Sequence, residues 1–300
     1  MEEPDSYIPV RIDKYLTWQY PEYSRSYLQK LIRADQVHVN GVSVKANYKV
    51  KETDEVDIDI PNPLPLEIEA QNIPLDILYE DMDLLVVNKP KGMVVHPAAG
   101  CYEGTLVNAL LYHCPDTLSG INGVLRPGIV HRIDKNTTGS LLVCKNDEAH
   151  RFLADQLANH SIRRRYRAIV HGRLPDTEGT INAPIGRDKK DRKKMAVTSD
   201  GKYAITHYKV IAAWKNYSYI ECRLETGRTH QIRVHMKHIG HPLLGDDVYG
   251  PAKCPVSGLQ GQTLHAMILG FIHPRNGEYM EFTAPLPAYF TELIDRLGRE

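Results

Sequence analysis

Residues 131–135 bring together His131, Arg132, Asp134 and Lys135, inside the stretch "GIVHRIDKNTTGSLLVCKN". Asp134 is the only acid between Asp116 and Asp147. Cations around a carboxylate favour its ionised form, and an ionised carboxylate can act on carbon as a nucleophile or a base. The plainer reading is a structural Arg–Asp turn, with Thr137 and Thr138 bonding nearby backbone. A second grouping, "HSIRRRYRAIVHG", sets Arg163, Arg164, Arg165 and Arg167 around Tyr166. Strand alternation puts Tyr166 on one face with Ala168 and Val170, as a half-buried core ring or as a platform for a base. A third, "LETGRTHQIRVHMKHIGHPLLG", carries His230, His235, His238 and His241 at spacings of five, three and three. With no HExxH they match no familiar ligand set, and no metal is expected. Thr229 reads as the N-cap of a helix ending near Gly240. That puts Arg228 just outside its N-terminus and Arg233 in its second turn, both able to face an anion. The run "GRDKKDRKKMAV" supplies Arg187, Lys189, Lys190, Arg192 and Lys193, as a solvated loop or a hairpin gripping phosphate.

The flanking elements must hold these groups. "DLLVVNKP", "IVHRID", "SLLVCKN", "RRYRAIVHGRL", "YAITHYKVIAAW" and "YSYIECRLETG" read as strands. "EGTLVNALLYHC", "DEAHRFLADQLANH" and "THQIRVHMKHIG" read as helices. They interleave without a βαβ repeat, so the expected class is α+β with a large, mainly antiparallel mixed sheet. The apolar exit Leu141-Leu142-Val143 would anchor the Asp134 loop.

The first sixty residues form a separate pattern. A short helix over 11–20 turns Tyr15 and Leu16 inward. Ser24 is a fitting N-cap for a second helix whose stripe is Tyr27, Leu28, Leu31 and Ile32. Asn40-Gly41 then joins two alternating runs as a hairpin, both turn residues tolerating positive φ. This order resembles the αL RNA-binding module named after a small-subunit ribosomal protein. Seven basic and three acidic residues between Arg11 and Lys49 suit phosphate contacts, with Arg25, Lys30 and Arg33 as candidates. Four prolines in "PNPLPLEIEAQNIP" mark a linker. The expected organisation is an RNA-binding domain over 1–60, a linker over 61–74 and a catalytic domain over 75–300.

Composition bounds the rest. The chain has 300 residues, 42% hydrophobic, 25% charged and with formal net charge zero. A neutral sum argues against nucleic acid, yet residues 161–194 hold eleven Arg and Lys against four Asp and Glu. Five scattered cysteines without a CxxC pair read as reduced thiols, and no apolar run is long enough for a membrane helix. The N-terminus lacks an apolar signal core. A cytoplasmic, non-membrane protein is expected. Nothing resembles GxSxG, a P-loop or GxGxxG.

Taken in order, "VNKPKGMVVHPAAG", "RPGIVHRIDKNTTGSLLVCKN", "RRRYRAIVHG", "PIGRDKKDRKKMAV" and "LETGRTHQIRVHMKHIGHPLLGDDVYG" resemble the RluA/RluD family of RNA pseudouridine synthases. The N-terminal module resembles that of the RluD-like branch, whose members modify ribosomal RNA. The resemblance implies an enzyme that isomerises uridine without a cofactor, acting on structured RNA, most of all large-subunit ribosomal RNA. It implies Asp134 as the catalytic aspartate, Tyr166 stacked on the target base, and Arg233 paired with Asp134. It implies Arg132 filling the space of a flipped nucleotide. His131, Lys135, Arg165 and Arg228 are expected to contact RNA, and the protein to act as a monomer. Asn136 stands where an acid is common and Ser140 where leucine is common; neither touches this chemistry. A non-catalytic RNA-binding assembly factor is the alternative from another class, and an RNA glycosylase a third.

Overall fold

The computed structural model describes residues 9–21, 23, 25–60, 68–98, 100–121, 123 and 126–299. The chain divides into two compact units, 1–66 and 67–300.

The smaller unit runs β1 (Val10–Arg11), α1 (Ile12–Gln19), α2 (Arg25–Arg33), β2 (Val37–Val39), β3 (Val42–Ser43), β4 (Lys49–Val50) and β5 (Val56–Ile58). Ile12 and Leu16 of α1 meet Leu28, Leu31 and Ile32 of α2 over Val37, Val39 and Val50. The expected hairpin forms: Asn40 and Gly41 have φ of 52° and 77°, and Val39 pairs with Val42. The expected cap Ser24 lies outside the described residues. Asp13 is buried yet ionised, because Arg25, Arg11 and Gln29 donate to it. Burial raises its pKa, but these bonds outweigh it and leave about 2.

The larger unit begins with β6 (Ile77–Glu80) and β7 (Leu84–Lys89). Then come α3 (Leu106–His113), β8 (Thr138–Cys144), α4 (Asp147–Ala158), β9 (Arg163–His171), β10 (Glu178–Asn182), β11 (Ile185–Arg187) and β12 (Met195–Val197). It ends with β13 (Ile205–Ala213), β14 (Tyr217–Leu224), α5 (Gln231–His238), β15 (Leu264–Ile272), β16 (Tyr279–Thr283) and α6 (Ala288–Leu297). Nine strands form one sheet in the order β10-β13-β14-β9-β15-β8-β7-β6, with β16 on β15. All its pairs are antiparallel except β8 with β15. The expected α+β class with a mainly antiparallel mixed sheet is what forms.

Both faces of the central strands are covered, which is why they read as continuous apolar runs. Leu85, Val87, Leu141 and Val143 pack under α3 and α5, while Leu84, Val86, Leu142 and Cys144 pack with Leu153 of α4 and Phe271. All seven residues of β8 are buried, Ser140 included. Residues 61–67 of the expected linker lie outside the described residues. Residues 68–74 are strapped to this unit: Asn108 donates to the Glu69 carbonyl, and the Gln71 N–H donates to that of Asn108. No described helix is long and apolar enough to cross a membrane.

Two expectations fail locally. "IVHRID" is not a strand. Ile129 makes one bridge to Val143, and residues 131–134 are irregular. Thr229 does not cap α5; it is exposed, and His230 takes the cap position in the left-handed region at φ 56°. Gln231 fastens that turn instead. Its Oε1 accepts from Thr226 Oγ1 and the Arg228 N–H, and its Nε2 donates to the Ile205 carbonyl.

Candidate active site

The 131–137 loop has no ladder of its own, so side chains hold it. Buried Lys89, at the end of β7, donates from Nζ to the carbonyls of Pro90, Met93 and Lys135 at 2.8, 2.8 and 3.0 Å. The Gly92 N–H donates to the same Lys135 carbonyl. Burial pulls the Lys89 ammonium down to about 7, against the charge of Asp134. Downstream, the Thr137 N–H closes a turn on the Asp134 carbonyl, and Gln262 donates to Thr137 Oγ1. Upstream, the Leu142 N–H donates to His131 Nε2 at 3.0 Å. Burial and then Arg164 push that imidazole down to about 3, so it stays neutral. The threonine pair and Gly139 are explained by β15. Thr138 Oγ1 bonds His265 Nδ1 at 2.8 Å. Gly139 has φ 105°, and a Cβ there would overlap the Ala266 carbonyl.

The loop delivers Asp134 to Arg233, in the first turn of α5. Arg233 Nη1 donates to Asp134 Oδ2 at 3.0 Å. Its Nε and Nη2 donate to Asp246 Oδ2 and Oδ1 at 2.7 and 2.9 Å, a bidentate pair. Asp246 accepts two further N–H bonds, from Val248 and Tyr249. Burial opposes the Arg233 charge, but Asp246 and then Asp134 drive its pKa upward. Its guanidinium lies 5.0 Å from the Tyr249 ring centroid. His230 Nε2 stands 3.7 Å from Asp134 Oδ1, and its Nδ1 meets the Tyr249 hydroxyl at 2.8 Å. Burial lowers the His230 pKa, opposed by Asp134.

These groups open on a cavity of about 480 Å³ whose lining includes His131, Arg132, Asp134, Tyr166, Arg228 and Arg233. Asp134 is partly exposed there, while Tyr166 is buried with its hydroxyl pKa raised by desolvation. Arg132 is exposed, with Nη1 3.4 Å from His96 Nε2. Arg228 donates from Nε to the Tyr203 carbonyl.

Other expected contacts lie elsewhere. Lys135 is exposed and offers the loop only its carbonyl. Arg165 points to the opposite face of β9 from Tyr166 and pairs with Glu221 at 3.0 Å. Arg164, grouped in the sequence with the other arginines around Tyr166 but not singled out, lines the cavity instead. Alternation through Tyr166 could have found it, since residues two apart share a face. Lys89, His230, Tyr249 and Asp246 were also missed; their roles depend on partners distant in sequence. Arg187, Lys189 and Arg192 line a second hollow with Asp188 and Asp200, and Lys190 and Lys193 are exposed beside them. In the smaller unit Lys30 and Arg33 are exposed on α2, whereas Arg25 is engaged by Asp13 at 2.7 Å.

The four histidines do not converge. His235 bonds Thr206 and the Ala183 carbonyl, and His241 bonds the His171 carbonyl. Among the described residues two triads could offer three ligand atoms, Glu80-His113-Cys114 and Asp81-Asp83-His273. Neither lines the cavity. Lys145 and His113 already engage Glu80, His273 engages Asp81, and Arg275 clasps Asp83.

Comparison with known proteins supplies the family. Residues 83–238 match the family model described as RNA pseudouridylate synthase, and residues 10–56 match that of the S4 domain. An uncharacterized RNA pseudouridine synthase of Bacillus subtilis is 57% identical over 96% of this chain and 94% of its own. The ribosomal large subunit pseudouridine synthase D of Zymomonas mobilis is 55% identical over 92% of this chain and 90% of its own. Among solved structures, human RNA pseudouridylate synthase domain containing 1 superposes with a TM-score of 0.60 at 25% identity, covering 79% of this chain and 98% of that one.

Proposed function

The chain belongs to the RNA pseudouridylate synthase family and is an RNA pseudouridine synthase, and we propose that Asp134 is its essential acid, acting on uridines turned out of structured RNA. Large-subunit ribosomal RNA is the proposed target, supported by relatives named ribosomal large subunit pseudouridine synthase D. The observation that carries the reading is the 3.0 Å pairing of Asp134 with Arg233 at the wall of a cavity that also holds Tyr166.

Isomerisation breaks the bond from C1′ to N1 of uracil and makes one from C1′ to C5. A proton leaves C5 and one is taken up at N1. No redox change occurs and no group departs, so the chemistry calls for no cofactor or metal. It calls for a carboxylate that stays negative beside the glycosidic carbon. That carboxylate can react with the ribose, assist its loss of a proton, or add to the uracil ring. Partial burial alone would raise its pKa, and a guanidinium at hydrogen-bond distance opposes this. Asp246 fixes the plane of Arg233, so Arg233 meets Asp134 in one orientation. Extrusion of the nucleotide costs a few kcal/mol, least in loops. Tyr166 offsets part of that by stacking on the base, and exposed Arg132 by entering the gap. His131, Arg228 and the basic β11–β12 hairpin, with Lys30 and Arg33 of the S4 domain, are proposed to contact RNA. The proposed working form is a cytoplasmic monomer.

The test is a map of pseudouridines in total RNA, by carbodiimide labelling and primer extension, with and without this gene. The reading requires stops in large-subunit ribosomal RNA that vanish with the gene. An unchanged map would overturn the target, and a wild-type protein inert on every RNA would overturn the role of Asp134.

A further inference from the structure

Four arginines stand on β9, and three of them have acids. Outward-facing Arg163 pairs with Glu281 at 2.7 Å, and Arg165 and Arg167 share Glu221 at 3.0 and 2.6 Å. Arg164 faces inward with Tyr166 and Ala168 and is 8% exposed. Among the described residues no carboxylate lies within 4.0 Å of it, and its buried Nε has no hydrogen-bond partner. Among the described residues, the one acid lining its cavity, Asp134, is engaged by Arg233 and His230. A buried cation without a counter-charge is unfavourable, and fixed guanidinium forks match the oxygens of a phosphate. The fold also leaves room for it. Gly227, in the turn before α5, would with a Cβ come within 2.6 Å of Arg164 Nη1.

We propose that Arg164 binds a non-bridging oxygen of the phosphodiester beside the turned-out uridine, making this end of the cavity an anion subsite. The proposal rests on the reading of the cavity as a nucleotide pocket. Uracil and ribose are neutral, so the backbone phosphate is the only anion the RNA brings there. Residues two apart on a strand stand about 7 Å from one another, comparable to the distance from a base to its own phosphate. With Tyr166 under the base, Arg164 is in register with that phosphate.

The probe is an unmodified large-subunit ribosomal RNA transcript, titrated against wild type, Arg164→Gln, Gly227→Ala and Arg163→Gln at rising NaCl. Modification of the transcript by wild type establishes the underlying reading separately; a transcript that wild type binds but does not modify faults that reading, and the binding arms still judge Arg164. Loss of one phosphate contact lowers the slope of log K against log salt by about 1. Arg164→Gln should show that drop, weaken binding at least ten-fold in low salt, and melt no lower than wild type. Gly227→Ala, which displaces the guanidinium without removing charge, should also weaken binding. Arg163→Gln should retain the wild-type slope. An unchanged slope and affinity in Arg164→Gln, or a lower melting temperature with RNA binding intact, overturns the proposal and makes Arg164 structural. If Arg164→Gln does not fold, Gly227→Ala decides by the same criteria of affinity.

Discussion

Arg233 gives Asp134 a single N–H; its other two nitrogens belong to Asp246. That division fixes the guanidinium plane before substrate arrives, which is what a positioned acid needs. Removing one partner of a buried pair leaves an uncompensated charge and costs about 3–5 kcal/mol. Asp246→Ala should therefore lose that much stability by urea unfolding. It should also slow pseudouridine formation, because Arg233 is then able to swing wholly onto Asp134. Wild-type stability in that variant would show that Asp246 does not anchor Arg233. Arg233→Lys should lose activity at least ten-fold although the charge is kept, since a lysine cannot serve both acids in the fork geometry. A single-turnover rate measures this, and a wild-type rate would dismiss the fork.

The loop that carries Asp134 is built by its neighbours. Lys89 clamps it through carbonyls, Gln262 through Thr137, and the tight parallel pairing of β8 on β15 fixes where it must end. Gly139→Ala should cost more than about 1 kcal/mol, because a Cβ at positive φ meets the Ala266 backbone. Thermal melting checks it; an unchanged melting temperature would mean β8 and β15 can separate without loss. Much of this was legible in the residues. The Asn40-Gly41 hairpin and the α3, α4 and α5 helices follow from local pattern and turn chemistry. Where partners come from far along the chain, the residues misled or were silent. The alternating "IVHRID" imitates a strand, yet His131 answers to Leu142 and Asp134 to Arg233 instead of a ladder. Thr229 has a capping side chain, but Gln231 holds the turn through Ile205 and Thr226. Arg165 was singled out near RNA although strand alternation puts Arg164, and not Arg165, on the face of Tyr166.

At the scale of the molecule, burial in the larger unit holds several histidines below the usual imidazole range. Burial, then Arg126 and Arg132, lowers His96 to about 4, and burial, then Arg164, lowers His131 to about 3. Burial also lowers His150, His171, His235 and His265. Unfolded, each takes up a proton near pH 6.5, while folded it resists until lower pH. The unfolded chain thus binds more protons below pH 6.5, and stability falls as pH drops through that value towards 4. Asp13, with its pKa lowered to about 2, adds a further loss below 3.8. The melting temperature should accordingly decline from pH 7 to pH 5, and His131→Asn should flatten part of the decline. A flat profile would mean these rings titrate alike in the folded and the unfolded chain. The formal net charge of zero also leaves RNA binding to local groups, for which inward Arg164 and the exposed β11–β12 hairpin are the ones proposed.

The most direct measurement of whether one carboxylate does the chemistry is single-turnover pseudouridine formation by Asp134→Asn on a large-subunit ribosomal RNA transcript, alongside its RNA affinity. The swap keeps the shape of the side chain and deletes its charge. The expected result is wild-type melting and tight RNA binding with no detectable pseudouridine. Product at the wild-type rate would contradict the account.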